Sequence, residues 1–159
     1  MGGAWHFRAL LIWLALLGAA YWGFDHYLAP KVATVSAAGE VTIPRSRDGH
    51  YYVSGSINGH PVTFLVDTGA STVAVSADFA REAGLPRGYP LRFDTANGST
   101  EGELVANQTV EAGGLRVANI DVGVGIRLGA PDSGLLGQSF LRHVDVLQSG
   151  DKLVLRARH

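Results

Sequence analysis

The chain has no cysteine. That absence excludes a thiol nucleophile, a disulfide framework and every thiolate metal site. Runs of basic residues are also missing, and the formal net charge is −1, so nothing in the charge pattern follows a phosphate backbone and no nucleic-acid partner is expected. The six histidines, at positions 6, 26, 50, 60, 143 and 159, lack the paired spacing of a metal site. They read as surface or interfacial groups, and neither a metal nor an organic cofactor is expected. Proline is scarce, 6 residues against 21 glycines, a balance that favours the tight turns of an all-β domain. Length is limited too: 159 residues, 47% hydrophobic and 17% charged, suffice for one globular domain of ordinary size and not for two.

One long apolar run is present. Ala9 to Phe24 carries no charge and is bounded by Arg8 and Asp25. As a helix it rises about 24 Å, against roughly 30 Å for a hydrocarbon core. All three tryptophans, Trp5, Trp13 and Trp22, fall in or beside it, as aromatic belts do at membrane interfaces. Residues 1–28 are therefore expected to form an N-terminal transmembrane helix. The alternative is a cleaved signal peptide, because Gly18-Ala19-Ala20 supplies small residues for a peptidase. Either reading puts the rest of the chain on the periplasmic or extracytoplasmic side. Residues 29–40 are small, polar and aperiodic, and read as a tether. Residues 41–159 form the expected domain.

That domain reads as short strands. Val41 to Ile43 is one; His50 to Ile57 and Val62 to Val66 flank Asn58-Gly59, a type I′ hairpin signal. Phe64-Leu65-Val66 is continuous and apolar, as in a strand buried on both faces. Thr72 to Val75 resumes a β-branched run. Ser76 to Ala83 is the one good helix, with Ser76 to cap its start and Gly84 to end it in the left-handed conformation. Leu91 to Phe93 and Glu103 to Val110 flank a turn at Ala96-Asn97-Gly98-Ser99, and Leu115 to Val124 alternates. Gly134-Leu135-Leu136-Gly137 is an apolar knot, followed by a helical turn at Ser139 to His143. Val144 to Leu147 then pairs with Leu153 to Leu155. Many short strands at regular spacing predict a closed or sandwiched β fold.

The strongest chemical signal is Asp67-Thr68-Gly69-Ala70-Ser71, placed directly after Phe64-Leu65-Val66. A carboxylate at the end of a buried strand is costly unless hydrogen-bonded or used. Gly69 lets the backbone turn and offers an amide to that carboxylate. Asp67 taken alone also fits a plain turn-capping role, and the residues here leave both readings open.

Phe64 to Ser71 resembles the active-site loop of the pepsin-retropepsin superfamily. Thr95 to Thr100 is similar to the tip of that superfamily's flap, and Asp132 to Leu141 to its later hydrophobic-hydrophobic-Gly segment. Order and spacing agree over Val41 to Leu155. The chain is identified as a member of the retropepsin-like aspartic proteases, of the bacterial type with an N-terminal membrane helix.

The resemblance implies a single-lobe acid-protease β-barrel with one short helix, Asp67 as catalytic carboxylate, and Thr68, Gly69, Ala70 and Ser71 as its supporting loop. It also implies a flap with Ala96, Asn97 and Gly98 at its tip, and Leu135, Leu136 and Gly137 packed behind the site. Two carboxylates sharing a proton are needed, and one lobe supplies one, so a homodimer with an Asp67 from each copy follows. Asp132-Ser133-Gly134 lies too soon after Asp67 to head a second lobe and reads as structural. The activity implied is that of an endopeptidase acting on peptides or proteins. The competing reading is a non-catalytic peptide-binding or scaffolding module on the same fold. A third, hydrolysis through Ser71 or Ser139, lacks a nucleophile elbow or an adjacent histidine.

Overall fold

The computed structural model describes residues 3–28, 33–36, 39–95 and 98–158. The chain divides into two compact units, Met1–Pro30 and Lys31–His159. The first is helix α1, Gly3–Leu28, 26 residues long, with its apolar side chains from Leu10 to Leu17 exposed. No helix among the described residues is long and apolar enough to cross a membrane, which corrects the expected transmembrane helix. The physical reason is length: the uncharged run Ala9 to Phe24 rises about 24 Å and falls short of a roughly 30 Å core.

The second unit is all-β with two short helices. One sheet has the order β1 (Thr34–Ser36), β2 (Glu40–Pro44), β11 (Lys152–Ala157), β10 (Val144–Ser149), each pair antiparallel. Thr34–Ser36 lies in the segment read as a tether and pairs with β2 instead. Val41 and Ile43 stand opposite Leu155 and Leu153; all four are buried, because alternation sends them to one face of the sheet. β10 pairs with β11 alone and forms the sheet's edge.

The other sheet closes on itself. β3 (Tyr52–Ile57) pairs with β4 (His60–Val66), which runs parallel to β9 (Ser133–Leu136). β9 pairs with β5 (Val73–Val75), and β5 runs parallel to β8 (Leu115–Val124). β8 pairs with β7 (Gly98–Ala112), and β7 returns to β3. Six strands thus form a barrel, and β6 (Tyr89–Thr95) pairs outside it with β7 as a hairpin arm.

Local chemistry explains the corners. Asn58 and Gly59 have φ of 51° and 86°, the positive values a type I′ turn requires. Asn58 is further pinned where Nδ2 donates to Gln108 Oε1 at 2.7 Å and Oδ1 accepts the Thr109 amide at 2.9 Å. Helix α2 (Ala77–Glu82) starts where Ser76 Oγ accepts the Phe79 amide at 3.0 Å, and Gly84 follows its end at φ 64°. Phe64, Phe79, Phe140, Ile57, Ile120 and Leu136 are fully buried inside, each contributing about 1.5–3 kcal/mol on transfer from water. Leu65 and Val66, expected to be buried on both faces, are partly exposed; Val66 still packs against the core, and alternation turns Leu65 to the opposite face.

Candidate active site

Asp67 is the first residue past β4 and is partly exposed. Its amide donates to the Leu136 carbonyl at 3.2 Å, so the strand pairing of β4 with β9 carries on to the residue itself. Its carboxylate Oδ1 accepts the Gly69 amide at 2.9 Å, and its carbonyl accepts the Ala70 amide at 3.3 Å. A Cβ at position 69 would lie 3.3 Å from Asp67 Oδ1, tight enough to press on that carboxylate.

The loop is held from behind by helix α3 (Gln138–Leu141). The Gln138 amide donates to the Ala70 carbonyl at 2.8 Å and the Ser139 amide to the Ser71 carbonyl at 3.0 Å. The Gln138 side chain donates through Nε2 to the Thr68 carbonyl at 3.0 Å. Ser139 is buried; its Oγ accepts the Val73 amide at 2.8 Å and donates to the Asp121 carbonyl at 3.2 Å. That hydroxyl is occupied and enclosed, which removes Ser139 as a nucleophile. The approach needs Gly137: a Cβ there would fall 2.2 Å from the Thr72 carbonyl oxygen and 2.7 Å from that of Ala70.

Most of the residues singled out in the sequence meet here. Thr68, Gly69, Ala70 and Ser71 form the loop. Leu136 sits fully buried behind it, and Leu135, one position earlier, is partly exposed on the face it shares with Leu65. Asp132 does not join them. Its carbonyl accepts the Thr63 amide at 2.8 Å, at the middle of β4 and four residues before Asp67, about 13 Å away along a strand. In the hairpin arm, Thr95 pairs with Gly98, which makes Gly98, at φ 107°, the first residue of β7 and not part of a central turn pair. Ala96 and Asn97 lie outside the described residues. The roles of Gln138 and Ser139 were missed in the sequence. Their signal was a polar pair directly after an apolar Gly-Leu-Leu-Gly knot, a place where core packing alone has no use for polarity.

Among the described residues, no group of three or more His, Asp or Glu could hold a metal ion. The loop presents one carboxylate, a half-exposed acid whose neighbours are backbone amides. A groove of about 650 Å³ begins at Thr68 and Gln138 and runs to β10, lined by Val144, Asp145, Val146 and Leu147. Consecutive residues of one strand point to alternate faces, so the groove takes in both faces of β10 and also Arg156 and Arg158.

Residues 53–143 match the family described as gag-polyprotein putative aspartyl protease. An uncharacterized protein of Rickettsia prowazekii (strain Madrid E) is 35% identical over 117 residues, covering 72% of this chain and 49% of that protein. An uncharacterized protein of Sinorhizobium sp, from the cobV 5′ region, is 31% identical over 170 residues, covering 94% and 72% respectively. The chain thus spans about half the length of the first relative. In structure it is similar to a retropepsin-like aspartic protease from Rickettsia conorii, with a TM-score of 0.62 and 35% identity over 74% of this chain and 89% of that one.

Proposed function

This chain belongs to the gag-polyprotein aspartyl protease family, and from that premise we propose that it is an aspartic endopeptidase whose catalytic unit is a pair of copies, each supplying Asp67. The observation that carries the reading is the Asp67 loop itself: a partly exposed carboxylate fixed by the Gly69 amide and clamped by α3 and β9. One such carboxylate per chain is half of what peptide hydrolysis by this chemistry needs. Two carboxylates in close contact share a proton, because two adjacent negative charges are costly. The ionised one takes a proton from water, and the protonated one donates to the scissile carbonyl. Their protons belong to the pair and not to either residue. Thr68 and Gly69 keep the two loops in register, and the β6–β7 hairpin covers a substrate held in extended form. Ala96, Asn97 and Gly98 are its substrate-facing tip in this reading.

The second copy meets the first along the open edge of β10. Support comes from the groove that joins Thr68 to that edge, and from Val146 and Leu147, exposed at 37% and 47% on the same strand. Substrates are peptides or proteins. An extracytoplasmic location for the domain is part of the same proposal, supported by the uncharged run Ala9 to Phe24 directly after Arg8, as in an export signal.

The test is digestion of a peptide library by the full chain, with Asp67→Asn as control. Cleavage by the wild type that vanishes in the variant supports the reading. Binding without cutting by the wild type would instead indicate a peptide-holding module.

A further inference from the structure

A second cavity, of about 390 Å³, lies at the base of the hairpin arm. None of its lining residues belongs to the loop Asp67 to Ser71 or to α3. Its size falls within the range of ordinary ligand pockets, about 300–1,000 Å³. One wall is α2 with the chain that follows it, through Ala77, Ala80, Leu85 and Pro86. The other is β7, through Glu101, Gly102, Glu103 and Val105. Val124 and Gly125, at and just past the end of β8, complete it.

Alternation decides which side chains of β7 face the cavity. Glu101, Glu103 and Val105 share one face of the strand, and Gly102 turns to the other. On that other face the Phe93 ring lies over two glycines: a Cβ at position 102 would fall 2.6 Å from its Cε2, and one at position 123 would fall 2.6 Å from its Cε1. The arm is thus seated on glycine from one side, and the cavity opens on its opposite side.

Charge on the cavity wall is unevenly committed. Arg81 Nη2 pairs with Asp78 Oδ1 at 2.6 Å, and Arg87 Nη2 with Glu103 Oε1 at 3.0 Å. Glu103 Oε2 also accepts the Gly88 amide at 2.9 Å, so both oxygens of that carboxylate are used. Glu101, two residues nearer the tip of the arm, has no hydrogen bond or ion pair among the described residues. Arg92 stands opposite it in the β6–β7 register, makes no ion pair with it and is not part of the lining. With both lining arginines matched, the uncommitted charge is one carboxylate, set beside the apolar surface of Ala80, Leu85, Pro86 and Val105.

We propose that this cavity binds an organic cation with an apolar body, a hydrophobic primary amine, whose ammonium is held by Glu101 and whose body lies against Leu85, Pro86 and Val105. Such an occupant joins α2 to β7 two residues beyond the Glu103 tie, and so holds the hairpin arm against the barrel. The site goes beyond the endopeptidase reading and its test needs no cleavage: a chain that binds the amine and cuts no peptide loses that reading and keeps this one.

Three probes of one shape separate apolar fit from charge: phenylbutylamine, phenylbutanol and phenylbutyrate, each titrated into the full chain at about pH 7 and followed by amide chemical shifts. The amine is expected to move the amides of Ala80, Leu85, Gly102 and Gly125. It binds roughly two- to five-fold tighter than the alcohol, the increment of an exposed ion pair, and the carboxylate binds more weakly than the alcohol. Glu101→Gln, a change at an exposed position, brings the amine down to the alcohol. Ala80→Leu fills the cavity and weakens both; if that variant does not fold, Glu101→Gln decides. Hydrogen exchange of the amides from Tyr89 to Phe93 slows when the amine is bound. No shift with any probe, shifts outside the cavity, tightest binding by the carboxylate, or an amine preference that survives Glu101→Gln overturns the proposal. Unchanged exchange in the arm overturns its bracing role.

Discussion

The side-chain amide of Gln138 donates to the Thr68 carbonyl at 3.0 Å, tying the first residue of α3 to the residue that follows Asp67. With the Gln138 and Ser139 amides on the carbonyls of Ala70 and Ser71, it ties the Asp67 loop to a helix whose Ser139, Phe140 and Leu141 are buried. Replacing Gln138 by Ala leaves the backbone bonds and removes the side-chain one. The expected cost is about 1 kcal/mol of stability. A larger effect, roughly ten-fold, is expected on kcat, because the loop then holds Asp67 less well in its reacting geometry. Urea denaturation and steady-state cleavage measure the two. A variant with normal kcat would show that this bond does not position Asp67.

Gly137→Ala makes a stronger test of the same packing. The added methyl would lie 2.2 Å from a backbone oxygen of Thr72 and 2.7 Å from one of Ala70, neither of which can rotate away. A loss of roughly 2–4 kcal/mol is expected, read as a lowered urea midpoint with unchanged slope. An unchanged midpoint would mean that the loop and α3 are not packed this closely.

The pair Asp48 and Tyr52 gives a pH signature. Burial, and then the bond to Asp48, pushes the Tyr52 hydroxyl up to about 12 from 10.0. The folded value exceeds the unfolded one, so this contribution to stability is complete below pH 10 and lost as pH rises towards about 12. Asp48 behaves in the opposite sense. Its carboxyl is lowered from 3.8, chiefly by the Tyr52 hydroxyl, so its contribution is present above that value and lost as pH falls through the folded pKa. Asp48→Asn is expected to lower the titration of Tyr52 in an ultraviolet pH titration. It should also be less stable than the wild type at neutral pH, with the gap closing in acid. A gap independent of pH would rule out the charged bond as its cause.

Lysines at Val146 and Leu147 test the proposed edge. Both side chains are already exposed, so the double variant is expected to fold with stability within about 0.5 kcal/mol of the wild type. Like charges on a shared edge oppose pairing. Sedimentation should then show monomer at concentrations where the wild type is dimeric, with cleavage reduced at least about ten-fold. A fully dimeric, fully active double variant would place the second copy elsewhere.

The local signals in the sequence proved reliable where one or two residues decide the backbone. Asn58-Gly59 makes the expected turn, Ser76 caps α2, and Gly84 adopts the left-handed conformation after it. Pairing partners were less legible. β9 is four residues long and inserts between β4 and β5, parallel to one and antiparallel to the other, and no local period encodes that choice. β7 spans Gly98–Ala112, longer at both ends than the Glu103 to Val110 that the sequence pattern predicts. Its register against β8 shifts on both sides of Gln108, which breaks the alternation a reader follows. Thr34–Ser36 was hidden in a polar stretch because a sheet-edge strand needs few apolar side chains. Asp67 stood out because an acid directly after Phe64-Leu65-Val66 contradicts the burial pattern around it. Gln138 and Ser139 contradict theirs as well, but their role depends on which loop lies opposite, and that is a property of the fold.

The central claim is that one Asp67 is half a catalytic site. It is tested most directly by adding Asp67→Asn chain to a fixed amount of wild-type chain and following peptide cleavage after subunit exchange. Mixed pairs carry one carboxylate and do not cut, so at equal amounts cleavage falls by about half and continues to fall as the variant exceeds the wild type. Cleavage that stays constant at every excess of the variant, or cleavage by the pure variant at the wild-type rate, would contradict the account.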